Sequence, residues 1–224
     1  MPQGKGLQSS AGRIQFPRAY YNPLLEELTH VFYGVKVRLV NLHSFDFFIF
    51  SDASFDSGSG VGMGATLQLR KTDWQKLVET TNFTIQTIVF RAKNIARLEL
   101  DTALWALENF ESERKTWLSG SVPPTICLIT DCKTIEDLSQ RRRKLEACNF
   151  LSKRTSLPLA NADLYRKLSD AYDRLHPTVV WIKGHAPRGK CGALQQIFAR
   201  VDRAARQALR RHLKGRDANV KDIG

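Results

Sequence analysis

The chain has 224 residues, 42% of them apolar, and carries a net charge of +12. That is enough chain for one substantial domain plus an extension. No apolar run approaches the ~20 residues of a membrane span, and the densest, Phe45–Phe50, is far shorter, so no membrane partner is expected.

The start of the chain has no secretory apolar core. Lys5, Arg13 and Arg18 occur without an acid in the first stretch, as in mitochondrial transit peptides. Gly and Pro interrupt the amphipathic helix such a peptide needs, so the expected compartment is intracellular, cytoplasmic or nuclear. Cys127, Cys132, Cys148 and Cys191 form no CxxC pair and show no zinc spacing. They are predicted to be free thiols, with Cys127 packed in a strand. The excess of Lys and Arg favours a polyanion partner, because cations that neutralise phosphates release condensed counterions. The alternative is a basic but inert surface.

In chain order, residues 1–44 form an N-terminal extension. Its first part is polar and rich in Gly, Ser and Pro. Asn22 and Pro23 then suit the N-cap and first position of a short helix, and 35–42 alternates like a strand. The main domain is predicted over 45–215, with a tail over 216–224. It opens with the apolar strand DFFIFSDAS, followed by a Ser/Asp/Gly turn. A second strand, VGMGATLQLR, carries Gly62 and Gly64, which permit close backbone approach. TNFTIQTIVFRA, rich in β-branched residues, is the third strand of a meander.

The period then changes. Ala96, Leu100, Ala103, Leu104 and Leu107 share one face of a helix. A double proline precedes the buried strand ICLIT, and a helix follows from Asp131 to Arg154 with the basic run Arg141, Arg142, Arg143 and Lys144. Residues 161–175 read as another helix, and 178–185 as a fifth strand. A long basic helix follows, with Gly215 as its stop. The order β-β-β-α-β-α-α-β-α implies an α/β fold: a mixed five-stranded sheet, three antiparallel strands then parallel ones, with helices on both faces.

Asp52 and Asp131 each follow an apolar run, so both are expected at strand ends, where acids converge on one edge of a sheet. Asp52 could instead start a turn, and Asp131 could cap a helix. Clustered carboxylates repel unless a cation neutralises them, and hard oxygen ligands favour Mg²⁺ or Mn²⁺. Glu99 lies beside apolar positions of the first long helix, while Asp101 points elsewhere and suits an exposed role. Trp105 and Trp181 are predicted in the core.

FIFSDAS with the Gly-spaced second strand, ARLELDTALWAL, LITDCKTI, and VVWIKGHAPRG followed by VDRAAR occur in this order over about residues 46–210. This ordered set resembles the ribonuclease H family, in its type 1 and retroelement-like branches. The resemblance implies an RNase H-like fold and an endonuclease that hydrolyses the RNA strand of RNA–DNA hybrids with two Mg²⁺ or Mn²⁺ ions. It places Asp52, Glu99 and Asp131 at the first three metal-binding acids and His185 at the histidine that assists proton transfer or product departure. A strand end followed by a loop suits that role better than a surface histidine, and an imidazole titrates near neutrality.

Two features depart from the family pattern. The link from His185 to the last helix, PRGKCGALQQIFARV, is long and lacks an Asn-Glu pair. Asp202 is the only carboxylate between His185 and Asp217, and so the fourth candidate ligand; its other role is an i,i+4 pair with Arg206. The family's Asn-Arg before the helix Glu occurs only as Asn94 and Arg97. Arg141, Arg142, Arg143 and Lys144 are candidate contacts to the phosphates of the uncut strand. The expected partners are an RNA–DNA hybrid and a reverse transcriptase or other retroelement component. Alternatives are another nuclease of the superfamily, resolvase- or transposase-like, and a non-catalytic nucleic-acid-binding or scaffold module.

Overall fold

The computed structural model describes residues 41–74, 83–114, 122–184 and 192–221, with the side chains of the last helix described to Gly215. The predicted helix of the N-terminal extension, nearly all of the strand at 35–42, and His185 lie outside the described residues. Asn41 accepts from the His43 N–H and opens a 3-10 turn, Leu42–Ser44.

The strands are β1 (Phe47–Asp56), β2 (Val61–Arg70), β3 (Gln86–Arg91), β4 (Ile126–Thr130) and β5 (Thr178–Trp181). The helices are α1 (Lys71–Trp74), α2 (Ile95–Glu113), α3 (Lys133–Ala147), α4 (Ala162–Leu175) and α5 (Ala193–Lys221). The strands form one sheet in the order β3-β2-β1-β4-β5. β1–β2 and β2–β3 are antiparallel, and β1–β4 and β4–β5 are parallel. This is the mixed sheet with helices on both faces that the element order implies.

Strand alternation divides the core into two layers. Phe47, Ile49, Ile126 and Leu128 pack beneath α2, α3 and α4, with Leu100, Leu107, Ile135 and Leu168. Phe48, Phe50, Cys127 and Ile129 face the other way, onto Ile197, Phe198 and Val201 of α5. Leu128 is fully buried, and its truncation to Ala would cost about 2–5 kcal/mol. Gly62 and Gly64 let α2 press on β2: a Cβ at Gly62 would meet Leu98 at 2.4 Å, and one at Gly64 would meet Thr102 at 2.6 Å.

Five element boundaries differ from the sequence expectation. β3 opens at Gln86, leaving residues 83–85 of the expected strand outside it. Asp52 does not end β1, because Ala53–Asp56 stay paired with Val61–Gly64 around a hairpin. Asp56 closes that turn by accepting from the Ser59 N–H at 2.8 Å, and Gly60 has φ +66°. The helix expected to Arg154 stops at Ala147, because Asn149 and Phe150 adopt left-handed φ of 47° and 56°; Phe150 is buried there at 6% exposure. β5 ends at Trp181, although the Ile182 N–H still donates to Thr130 O at 2.9 Å. α5 runs through Gly215 to Lys221; an interior glycine costs a helix only about 1 kcal/mol, which the helix-forming neighbours offset.

The face predicted for α2 also needs one correction. Leu100, Ala103, Leu104 and Leu107 are buried, but so are Leu98, Thr102, Ala106 and Phe110, whereas Ala96 is exposed. A helix held between a sheet and two other helices buries more than one stripe.

Candidate active site

β1 and β4 pair in parallel only as far as Phe50↔Ile129. Asp52 stands two residues beyond that pair and Asp131 directly after β4. Both acids therefore lie where two parallel strands part, at the carboxyl end of the sheet. Such a crevice is where open α/β sheets bind ligands. Asp52 has the strand parity of Phe48 and Phe50 and pairs with Ala65, so the pleat aims it to the side of α5. Asp202 sits on that helix, one residue after the buried Val201.

The electrostatics bring all four candidate acids into one field. Burial first, then the charges of Asp131 and Asp202, and least Glu99, raise the Asp52 pKa to about 8, against a hydrogen bond from the Ala53 backbone. Like charges that cannot be neutralised keep a proton between them. Glu99 is also raised, by burial and by Asp131, against a hydrogen bond from the Cys132 thiol. Cys132 is 4% exposed, and burial together with Glu99 pushes its thiol up to about 12. It remains a neutral donor to Glu99 throughout the physiological range.

Asp131 is held from two sides. The Trp181 indole N–H donates to its backbone carbonyl at 2.8 Å. Gly184 lies against its carboxylate so closely that a Cβ there would meet Oδ2 at 2.3 Å. Trp181 is therefore half-buried rather than fully in the core, with the Lys133 ammonium 5.3 Å from its ring centre. Trp105 is likewise half-buried. The sequence reading missed Cys132, Trp181 and Gly184 as site residues; the available signals were the adjacency of Cys132 to Asp131 and the place of Trp181 and Gly184 in the motif that ends at His185.

Asp202 shows both of its expected faces. It acts on Asp52, yet its carboxylate also pairs with Arg206 at 2.5 Å. Among the described residues no three His, Cys, Asp or Glu side chains gather tightly enough to enclose an ion. As a donor set, four carboxylates, three of whose charges act on a buried Asp52, still suit a hard divalent cation.

Around the crevice, Asn94 caps α2 by accepting from the Arg97 N–H at 2.9 Å. Arg97 forks onto Asp163 at 2.7 and 3.1 Å and lies 3.8 Å from Asp101. Asp101 is half-buried, and burial raises its pKa against the pull of Arg97. In the basic run, Arg141, Arg143 and Lys144 are exposed on α3. Arg142 turns inward to Asp173 at 2.5 Å and Glu146 at 3.1 Å.

No protein-family model matches the chain, and no curated protein matches its sequence. Solved structures do match. The foamy viral protease-reverse transcriptase in complex with dsDNA aligns with TM-score 0.56 at 12% identity, over 75% of this chain and 96% of that one. The solution structure of the PFV RNase H domain aligns with TM-score 0.54 at 13% identity, over 73% and 94%. The same viral protein in complex with RNA/DNA hybrid aligns with TM-score 0.52 at 11% identity, over 87% of this chain but only 23% of that one. The sheet order, the parallel β1–β4–β5 half and these alignments together establish that this chain has the ribonuclease H fold.

Proposed function

We propose that the chain is a divalent-metal-dependent endonuclease that hydrolyses the RNA strand of RNA–DNA hybrids. The observation that carries this reading is the placement of Asp52 and Asp131 where the parallel strands β1 and β4 part, with Asp52 buried and under the charges of Asp131, Asp202 and Glu99. A carboxylate crowded by three others at a sheet crevice needs a cation to ionise fully. Two Mg²⁺ or Mn²⁺ ions, when bound, would lower the pKa of a water and neutralise charge on the leaving oxygen. Asp52, Glu99, Asp131 and Asp202 would hold them. His185 would carry a proton to or from the reacting phosphate. Arg141, Arg143 and Lys144 would hold phosphates of the uncut strand. The neighbour solved with a hybrid belongs to a foamy viral protease-reverse transcriptase, which supports a retroelement origin and a reverse transcriptase as former or present partner.

The test is cleavage with Mg²⁺ of a hybrid, a DNA duplex and a four-way junction, with Asp52→Asn as control. Cutting of the RNA strand alone, lost in the control, is expected. Cutting of the junction would point to a resolvase-like nuclease instead. One observation favours a second reading, a non-catalytic hybrid-binding module: Asp202 is taken up by Arg206. Hybrid binding without cleavage by the native chain would select it.

A further inference from the structure

α5 carries eight Arg and Lys but only two acids, Asp202 and Asp217. Its apolar side is fully used: Leu194, Ile197, Phe198, Val201 and Ala205 cover one face of the sheet, and Ala208 and Leu209 reach Val61 and Met63. At 3.6 residues per turn, Arg203, Arg210 and Lys214 fall within about 40° of one another on the opposite side. All three are exposed, as are Arg206 and Arg211 on the flanks. Arg206 pairs with Asp202; among the described residues no acid pairs with Arg203, Arg210, Arg211 or Lys214.

This stripe differs from the α3 basic run in position. α3 packs on the sheet face opposite α5, so the two basic surfaces lie on different layers of the molecule. The stripe also begins beside Asp202, whose charge reaches Asp52. Ordinary solvated helix faces alternate charge signs and pair them at i,i+4. Here the described part of the stripe has one sign, which costs the isolated helix stability through like-charge repulsion. That cost is relieved by a polyanion.

We infer that the Arg203–Arg210–Lys214 face of α5 binds the phosphate backbone of a nucleic-acid duplex along one side of the crevice. Arg203 to Lys214 spans about 16 Å of helix. A duplex carries one charge per ~1.7 Å of axis, so the face matches the phosphates of about five base pairs. Arg203 would seat the phosphates nearest the crevice, and Arg210 and Lys214 those farther along. The direction of this track rests on Asp202 marking the cleavage site; the binding itself does not.

The test uses the full chain carrying Asp52→Asn, without divalent metal, so that cleavage plays no part. Binding of a fluorescent hybrid and a DNA duplex is measured between 50 and 200 mM salt, with and without Arg203→Gln, Arg210→Gln and Lys214→Gln together. Loss of three phosphate contacts should weaken binding at least tenfold at the lowest salt and flatten the log K against log salt slope by about 2–3. A melting temperature kept by the triple variant separates this from misfolding; if it falls, the single Lys214→Gln variant, nearest the helix end, should still flatten the slope by about 0.9. An unchanged slope with affinity within twofold would overturn the proposal and leave the stripe to an acidic protein partner. A flattened slope in a chain that proves unable to cut hybrids would uphold this surface while removing the endonuclease reading.

Discussion

The Trp181 indole N–H donates to the backbone carbonyl of Asp131 at 2.8 Å, joining the end of β5 to the residue that follows β4. Because β4 and β5 pair in parallel through Thr130↔Trp181, this side-chain bond extends the ladder by one step where the backbone ladder stops. Gly184 then fixes the carboxylate from the side.

Gly184→Ala should therefore act on Asp131 rather than on the fold. The new Cβ would meet Oδ2 at 2.3 Å and Cγ at 3.3 Å, and the carboxylate must turn away. A displacement of about 1 Å at a reacting centre costs about 10²-fold in rate. Hybrid cleavage should fall by that order while the melting temperature shifts only slightly. Trp181→Phe should do the reverse: it leaves a carbonyl without its donor and costs about 1 kcal/mol of stability, read as a lower midpoint in urea.

Much of this arrangement was legible in the sequence, and the residues that were not share a reason. Asp52 and Asp131 stood out because apolar runs lead into them. The unbroken apolar run Phe47 to Phe50 announced a central strand, and the order of elements gave the sheet. What stayed hidden depended on contacts between distant segments. The hairpin pairing that carries β1 past Asp52 comes from β2. The end of α3 comes from a buried Phe150 in a left-handed conformation. The uniform basic run of α3 concealed that Arg142 faces Asp173, because 3.6-residue periodicity alone does not say what stands opposite a helix.

Arg142 should consequently separate from its neighbours on substitution. Its guanidinium ties α3 to α4 through Asp173 and to Glu146 on its own helix. Arg142→Gln should lower stability by about 1 kcal/mol, the upper part of the range for partly exposed pairs, and leave the salt dependence of hybrid binding unchanged. Arg141→Gln, Arg143→Gln and Lys144→Gln together should leave the melting temperature within a degree or two and flatten that salt dependence. Thermal melts paired with binding titrations read both effects.

Cys132 gives the third expectation. It is the N-cap of α3 without a side-chain capping bond, and its thiol is committed to Glu99. Cys132→Ser keeps a donor at that place and should preserve cleavage. Cys132→Ala removes it, so Glu99 loses the one contact that lowers its pKa, and the acid limb of the cleavage profile should move to higher pH. Alkylation provides an independent check: with the Cys132 thiol pushed up to about 12 and 4% exposed, a thiol reagent at pH 7 should label the half-buried Cys148 well before Cys132. Equal labelling of the two would contradict the bond to Glu99.

Asp52 makes stability depend on pH with a defined sign. Its pKa is about 8 in the folded chain against 3.8 for the unperturbed group. Between those values the folded protein keeps the proton and the unfolded chain releases it, so unfolding sheds a proton and stability falls as pH rises. Below about 3.8 both states are protonated and above about 8 neither is, and there this residue adds no slope. Within the window the loss is at most about 1.4 kcal/mol per pH unit, less where water reaches the half-buried carboxylate. Glu99, also raised, adds in the same direction. Asp52→Asn removes the main titrating charge, so without divalent metal it should be the more stable protein at pH 7 and show a flatter profile from pH 5 to 8 in urea unfolding. Mg²⁺ at millimolar concentration should stabilise the native chain and do little for the Asn variant, since a cation bound to the folded state adds stability by mass action. A native chain whose stability rises from pH 5 to 8, or an Asn variant that gains as much from Mg²⁺, would show that the four acids do not share one field.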